Sequence, residues 1–239
     1  MNNALLQLKI KERLNKLSSM DYDNIECWQV VEAFNKAQLE WVRRQAHGFH
    51  AAKTGKMGGA ESSTTLIDDL QNLLKDHTYT ALADRGLFFE TNQTLPADYL
   101  FFNRINAEAI TDCCPPRNVT AYLVPVADVD SLLGDHLRNP SLEWAETFAT
   151  MSSSKIQLYT NDKFNVSKIN LYYFRKPVPI SIVGCADPST GTISTVDVPC
   201  EFKDDIAEML ADDTAAILAG DIESITQYQR TKQNSTDTN

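Results

Sequence analysis

No stretch of this 239-residue chain approaches the roughly 20 consecutive apolar residues that a membrane-spanning helix needs. The opening MNNALLQLKIKERLNKL lacks a continuous apolar run and a small-residue cleavage site, so it does not read as a secretory signal. Internal repeats are missing, and the only biased stretch is the tail QRTKQNSTDTN, which contains no apolar residue and reads as disordered unless a partner holds it. Cysteine is present but unpatterned. The residues Cys27, Cys113, Cys114, Cys185 and Cys200 are odd in number and irregular in spacing, and the adjacent Cys113 and Cys114 sit too close for ordinary disulfide geometry. These features lead to the expectation of a soluble protein made in a reducing cytoplasm, with cysteines serving as small apolar packing residues.

Positive charge is also in short supply. The net charge is -10 and the pI about 4.8, which argues against general affinity for nucleic acid or anionic membranes. The imbalance is uneven along the chain. Residues 41–60 hold Arg43, Arg44, Lys53 and Lys56 and no acidic residue, whereas the segment from Glu201 onward holds Asp204, Asp205, Glu208, Asp212, Asp213, Asp221 and Glu223. Opposed segments of this kind could serve head-to-tail contacts between copies; two solvated faces are the simpler reading.

The stretch HGFHAAKTGKMGGAESSTT, residues 47–65, raises the question of phosphate binding. A phosphate loop requires G-x-x-x-x-G-K-[ST] between a strand and a helix, so that backbone amides wrap the phosphates and a hydroxyl binds magnesium. Met57 replaces that hydroxyl, His50 occupies the first glycine position, Gly48 lies two residues too early, and the preceding segment reads as a helix. The segment is therefore read as a basic connector, expected to be better ordered in an assembly than in a free subunit. His47 and His50 are spaced to share a helix face as metal ligands, but His77 and His136 are distant in sequence, and the simpler reading is a helix fraying into a loop. Cys27 or Cys185 with a distant histidine would make a nucleophile pair, without any local signature for one. No G-x-S-x-G or supported carboxylate dyad is found, so neither an enzyme, a cofactor nor a metal is read. The aromatic stretch NLYYFRKPVPIS could stack on bases or sugars; the reading preferred is a strand with alternating burial that ends at an exposed Arg175-Lys176 and is stopped by Pro177 and Pro179.

Periodicity predicts helices over 4–17, over 27–46 with Cys27, Val30, Val31, Phe34, Ala37 and Trp41 on one face, over 64–75 with Thr65 as N-cap, and over 203–219 with Asp204 and Asp205 in the first turn. The first stripe combines Leu5, Leu8 and Leu14 with Ile10 and Leu17. After Gly86 the composition turns aromatic and β-branched, which predicts strands from about 98 to 184. A short helix is expected at ADVDSLLGDHL, and RNPSLEWAETFATMSSS reads as a long ordered loop. The fold expected is α+β: a helical bundle with an inserted antiparallel β sheet or small barrel. It forms a single domain over 1–230, with 27–80 and 202–228 as the bundle, 86–200 as the β-rich part, and 231–239 as a disordered or partner-ordered tail.

The order of these pieces carries a resemblance. FNKAQLEWVRRQAHGF leads through the basic loop to TTLIDDLQNLLKD, then to LPADYLFFNRI, INLYYFRKPVPIS and DDIAEMLADDTAAIL. Over about residues 27–225 this resembles the head-to-tail connector (ring adaptor) proteins of tailed bacteriophages, in particular the crAss-like phages that infect gut Bacteroides. The best pieces are LPxDY and YYxRKPxPI, with Phe174 inserted here before Arg175. The resemblance implies a non-enzymatic structural protein of the virion, in a ring of about twelve copies beneath the portal that extends the DNA channel. The partners implied are further copies of the chain, the portal protein, neighbouring tail or ring proteins, and genomic double-stranded DNA that passes without sequence-specific binding; no membrane is involved. The protein would be made in the bacterial host cytoplasm and reside in the connector of the virion. A tail-side stopper or ring protein that closes the channel is the alternative, with a nucleotide- or metal-dependent enzyme behind it. Candidate inter-subunit or channel contacts are Arg43, Arg44, Lys53, Lys56, Arg175, Lys176, Asp204, Asp205, Asp212 and Asp213.

Overall fold

The computed structural model describes residues 1–15, 25–46, 70–111, 114–186 and 191–221. The chain divides into two compact units, one built from Met1–Asn72 with Pro177–Asn239 and the other from Leu73–Lys176. The divisions thus fall at 72/73 and 176/177, where composition had pointed to 80–86 and 200–202. Among the described residues there are four α-helices: α1 (Asn3–Asn15), α2 (Cys27–Ala46), α3 (Val129–Gly134) and α4 (Asp204–Asp221). None is long and apolar enough to cross a membrane.

In the discontinuous unit, α1 and α2 both pack on α4. The buried stripe of α1 is Leu6, Ile10 and Leu14, one residue in four, while Leu5 and Leu8 face solvent; the expected stripe had mixed the two faces. Helix α2 has the expected bounds and buries Val30, Phe34, Ala37 and Trp41, with the Trp41 indole edge-on to Phe202 at 5.1 Å between ring centroids. Helix α4 is lined with Ala207, Ala211, Ala215 and Ala219, whose small side chains let its neighbours approach closely. Its final two turns are covered on nearly every side, since Asp213, Thr214, Ala215, Ala216, Leu218 and Ala219 are all buried.

The other unit corrects the expected fold class. It contains an eight-stranded mixed sheet, curled into a half-barrel, and this sheet dominates the fold; a helical bundle with an inserted antiparallel sheet is not what forms. The strands are β1 (Leu74–Tyr79), β2 (Leu82–Asp84), β3 (Phe88–Thr91), β4 (Tyr99–Thr111), β5 (Cys114–Leu123), β6 (Glu146–Ser152), β7 (Lys155–Tyr159) and β8 (Asn165–Arg175). Their order is β1-β8-β4-β5-β6-β7-β3-β2. All pairs are antiparallel except β5 with β6, whose chains run the same way because α3 and its flanking loops form the crossover. The main core cluster includes Tyr79, Ile105, Ala107, Val119, Ile156, Leu158, Ile169, Leu171 and Tyr173, and a smaller one gathers Val129, Phe148 and Tyr159 under α3.

Three local causes explain the difference. The leucine stripe assigned to a helix over 64–75 runs across a real boundary: Gln71–Leu73 is a 3-10 turn and β1 starts at Leu74, while residues 64–69 lie outside the described ones. Strand β1 buries only Tyr79 and shows no alternation to betray it. Strand β6, assigned to a loop, has Phe148, Ala149, Thr147 and Thr150 buried in succession, since both faces are covered and a period of two is lost. The hairpin joining β6 to β7 turns on Ser153 and Ser154, both at positive φ, where Asn-Gly would have signalled it. The alternation expected in β8 also slips. Val166 is buried with Ile169, Leu171 and Tyr173, because Ser167 is an extra residue bulged against β4 between the Glu108–Lys168 and Ala109–Val166 pairs.

Candidate functional site

The first turns of α2 place Trp28, Val31, Glu32 and Asn35 at helical spacing on one face. This face forms one wall of a cleft of about 580 Å³, whose opposite wall comes from the extended segment after Pro177: Ile180, Ser181, Ile182, Cys185, Ala186, Thr192 and Ser194. The volume lies in the usual range, roughly 300–1,000 Å³, of small-molecule sites. The wall is assembled by side chains that substitute for a strand ladder. Asn35 grips Ile180 twice, accepting from its amide at 2.8 Å and donating to its carbonyl at 3.3 Å. Asn3 of α1 donates to the carbonyls of Ser181 and Val198, both at 3.0 Å, and to the Asp197 carboxylate at 2.8 Å. Ser181 and Val198 also exchange backbone hydrogen bonds, and the Ser181 and Ser194 hydroxyls share one. Among the described residues that line the cleft, the polar side chains are the hydroxyls of Ser181, Thr192 and Ser194, the Asn35 amide, the Trp28 indole and the Glu32 carboxylate, a set suited to a neutral or cationic group.

The cysteines depart from the sequence expectation. Cys27, the first residue of α2, is disulfide-bonded to Cys185 with 5.7 Å between Cα atoms, so these two are not simple packing residues and not halves of a Cys–His pair. Cys200 is a buried thiol whose pKa burial pushes up, with Glu201 and Asp204 adding to the rise. Among the described residues no group of three or more His, Cys, Asp or Glu could hold a metal.

Several proposed contact residues meet inside one chain. Arg44 pairs with the nearly buried Asp213. Arg13 on α1 reaches both Asp212 and Glu208, the latter at 2.7 Å, and Lys9 also pairs with Glu208. Asp204 pairs with the Met1 ammonium, which holds its carboxyl below the usual range. Asp205 and Arg43 are exposed. Arg175 is half-buried at the end of β8 and donates to the Lys176 carbonyl at 3.1 Å, and Lys176 is exposed, its amide donating to the Asp98 carbonyl. Lys53 and Lys56, with the rest of the 47–65 connector and the tail 231–239, lie outside the described residues. The acidic helix therefore finds its cations in α1 and α2 of the same chain. Sequence reading missed this because it looked for them in the 41–60 run, whereas Lys9 and Arg13 supply most of them.

A second polar network sits in the sheet unit. Asp98 accepts from Lys75 at 2.7 Å and from the Tyr173 hydroxyl at 2.8 Å, and these hold its carboxyl below the ordinary range, the Lys75 hydrogen bond first. Tyr173 is pushed up to about 12 by burial and then by Asp98; Tyr79 also rises to about 12, chiefly by burial. The network ties β1 and β8 to the residue preceding β4. The aromatic strand turns its rings into this structure: Tyr173 is buried, and Tyr172 lies 4.3 Å beneath the Arg104 guanidinium.

No protein-family model matches the chain, and no curated protein matches it.

Proposed function

We propose that this protein is a non-enzymatic structural subunit of a virion, one copy in an oligomeric ring that joins the portal to the tail of a tailed bacteriophage and extends its DNA channel. The resemblance in the order of its segments is the starting point. The observation that carries the reading is a set of large apolar side chains left exposed on both units. Leu137 is 91% exposed and Trp144 75% exposed on the connection between α3 and β6, and Leu8 is 62% exposed on the outer face of α1. Ile193 and Val196 add to it on the extended segment. Tryptophan is enriched at the buried centres of interfaces. A ring needs two different complementary surfaces on each copy, and uncovered apolar side chains on both units supply candidates.

Because Asp204, Asp212, Asp213 and Glu208 are answered within the chain, attraction between copies falls to these apolar side chains more than to opposed charge. An acidic surface also suits DNA that must slide, since few cations are available to grip phosphates. The proposal is tested by mass measurement in solution, alone and with the portal protein. A ring of copies, or a monomer that joins only on the portal, supports it. Trp144→Ser with Leu137→Ser should abolish the association while the far-ultraviolet circular dichroism stays unchanged. A monomer indifferent to portal sinks the reading.

A further inference from the structure

The two walls of the cleft come from lengths of chain separated by the whole sheet unit, and the Cys27–Cys185 bond, spanning 158 residues, joins them. The same junction is held without sulfur. Asn35 clamps Ile180 two turns along α2, Asn3 clamps Ser181 and Val198, and a tight turn aims Cys185: its amide donates to the Ile182 carbonyl at 3.1 Å, with Gly184 at φ +85°. Each of these contacts holds the segment that carries Cys185 without drawing on sulfur. In the bonded structure the two Cα atoms stand 5.7 Å apart, within the usual range for a disulfide. The two thiols differ in access. Cys27, the first residue of α2, is half-buried, whereas Cys185 is 7% exposed.

We infer that the hydrogen-bonded junction forms first, in the dithiol protein, and that Cys27–Cys185 is closed afterwards as a staple, by exchange with a small-molecule disulfide once the folded protein leaves a reducing medium. The Cys27 thiolate attacks one sulfur of the small disulfide. That sulfur–sulfur bond breaks, one small thiolate leaves with the electron pair, and a mixed disulfide remains on Cys27. The Cys185 thiol gives up its proton, its sulfur attacks the Cys27 sulfur, and the second small thiolate departs. The protein loses two electrons and two protons, and the small disulfide becomes two thiols. Cys200, which no disulfide joins, stays a thiol.

The test counts thiols in the full chain. Cells making the protein are quenched in acid, and the protein is alkylated with N-ethylmaleimide under denaturing conditions and weighed intact. All five cysteines should carry the label. After the purified reduced protein is incubated with oxidised glutathione under native conditions, three should carry it, five less the joined pair, and peptide mapping should join Cys27 to Cys185. A bond already closed in the cytoplasm, a protein still fully labelled after oxidation, or a cross-link through another cysteine overturns the inference. Reduced wild type and Cys27→Ser should both keep the near-ultraviolet circular dichroism of the oxidised protein. If Cys27→Ser fails to fold, reduced wild type decides: loss of its native spectrum overturns the order of events, and retention supports it.

Discussion

The two units are held together by different kinds of bond. In the sheet unit, neighbouring strands share backbone ladders, and side chains fill a large core cluster with a smaller one beside it. In the helical unit the pieces brought together are far apart in sequence, and the connections between them are made by side chains: the ion pairs of Arg13 and Arg44 to α4, the clamps of Asn3 and Asn35, and the disulfide. A ladder spreads its stabilisation over many equivalent groups, whereas side-chain joints concentrate it in a few. Substitutions and redox conditions should therefore separate the units. Trp41, buried in the helical unit, and Trp144, exposed in the sheet unit, provide local fluorescence reporters.

Reduction gives the largest expected separation. A closed loop of this length stabilises the folded state by about 5 kcal/mol in the chain-entropy argument. The urea midpoint reported by Trp41 should fall on adding a reductant, and that reported by Trp144 should hold; equal falls would show that the units unfold as one. Alkali should strike the other side. Tyr79 and Tyr173 ionise at about 12 in the folded protein against an ordinary value of 10, so the folded state keeps protons that the unfolded chain releases. The stability they contribute is complete below pH 10 and is lost as pH rises towards 12. A pH titration of sheet circular dichroism should show this loss, and Tyr173→Phe should lessen it.

A smaller effect is expected at the Arg44–Asp213 pair. Arg44→Ala removes a cation from a nearly buried carboxylate and should cost about 2 kcal/mol, part of the usual penalty being relieved because Arg44 itself is partly exposed. Thermal melts followed at Trp41 should detect it, and Asp213→Asn combined with Arg44→Ala should recover part of the loss. The smallest change is a gain. Ser153→Asn with Ser154→Gly suits the positive φ angles of the β6–β7 hairpin and should stabilise the sheet unit by roughly 1 kcal/mol in a denaturant titration.

What was legible in the sequence followed periodicity and failed where periodicity is physically absent. Helix α2 has one apolar face and reads directly, and α4 differs from its expected bounds by only one or two residues. Strands β4, β5, β7 and β8 were visible in their aromatic and β-branched content. Strand β1 is exposed along most of its length, and β6 is buried without interruption, so neither alternates. Serines in the hairpin concealed the turn that would have revealed β6. The face Trp28–Val31–Asn35 could be read from spacing alone. Its opposite wall could not, because it is extended chain fixed by two asparagines with no period of its own. The pairing of Cys27 with Cys185 was hidden for the same reason, since partners 158 residues apart leave no local pattern.

The interrupted course of the helical unit also sets an order of events during synthesis. A ribosome that has released residue 176 has already supplied every strand of the sheet, and this unit can close while the remainder of the chain is still being made. The helices of the other unit must wait. Their shared partner α4 ends at Asp221, so α1 and α2, although made first, obtain their packing surface last. The nascent protein therefore carries the α1 and α2 segments without their packing partner through most of translation, and a pause between residues 177 and 221 would prolong the interval in which they are open to chaperones or to premature association.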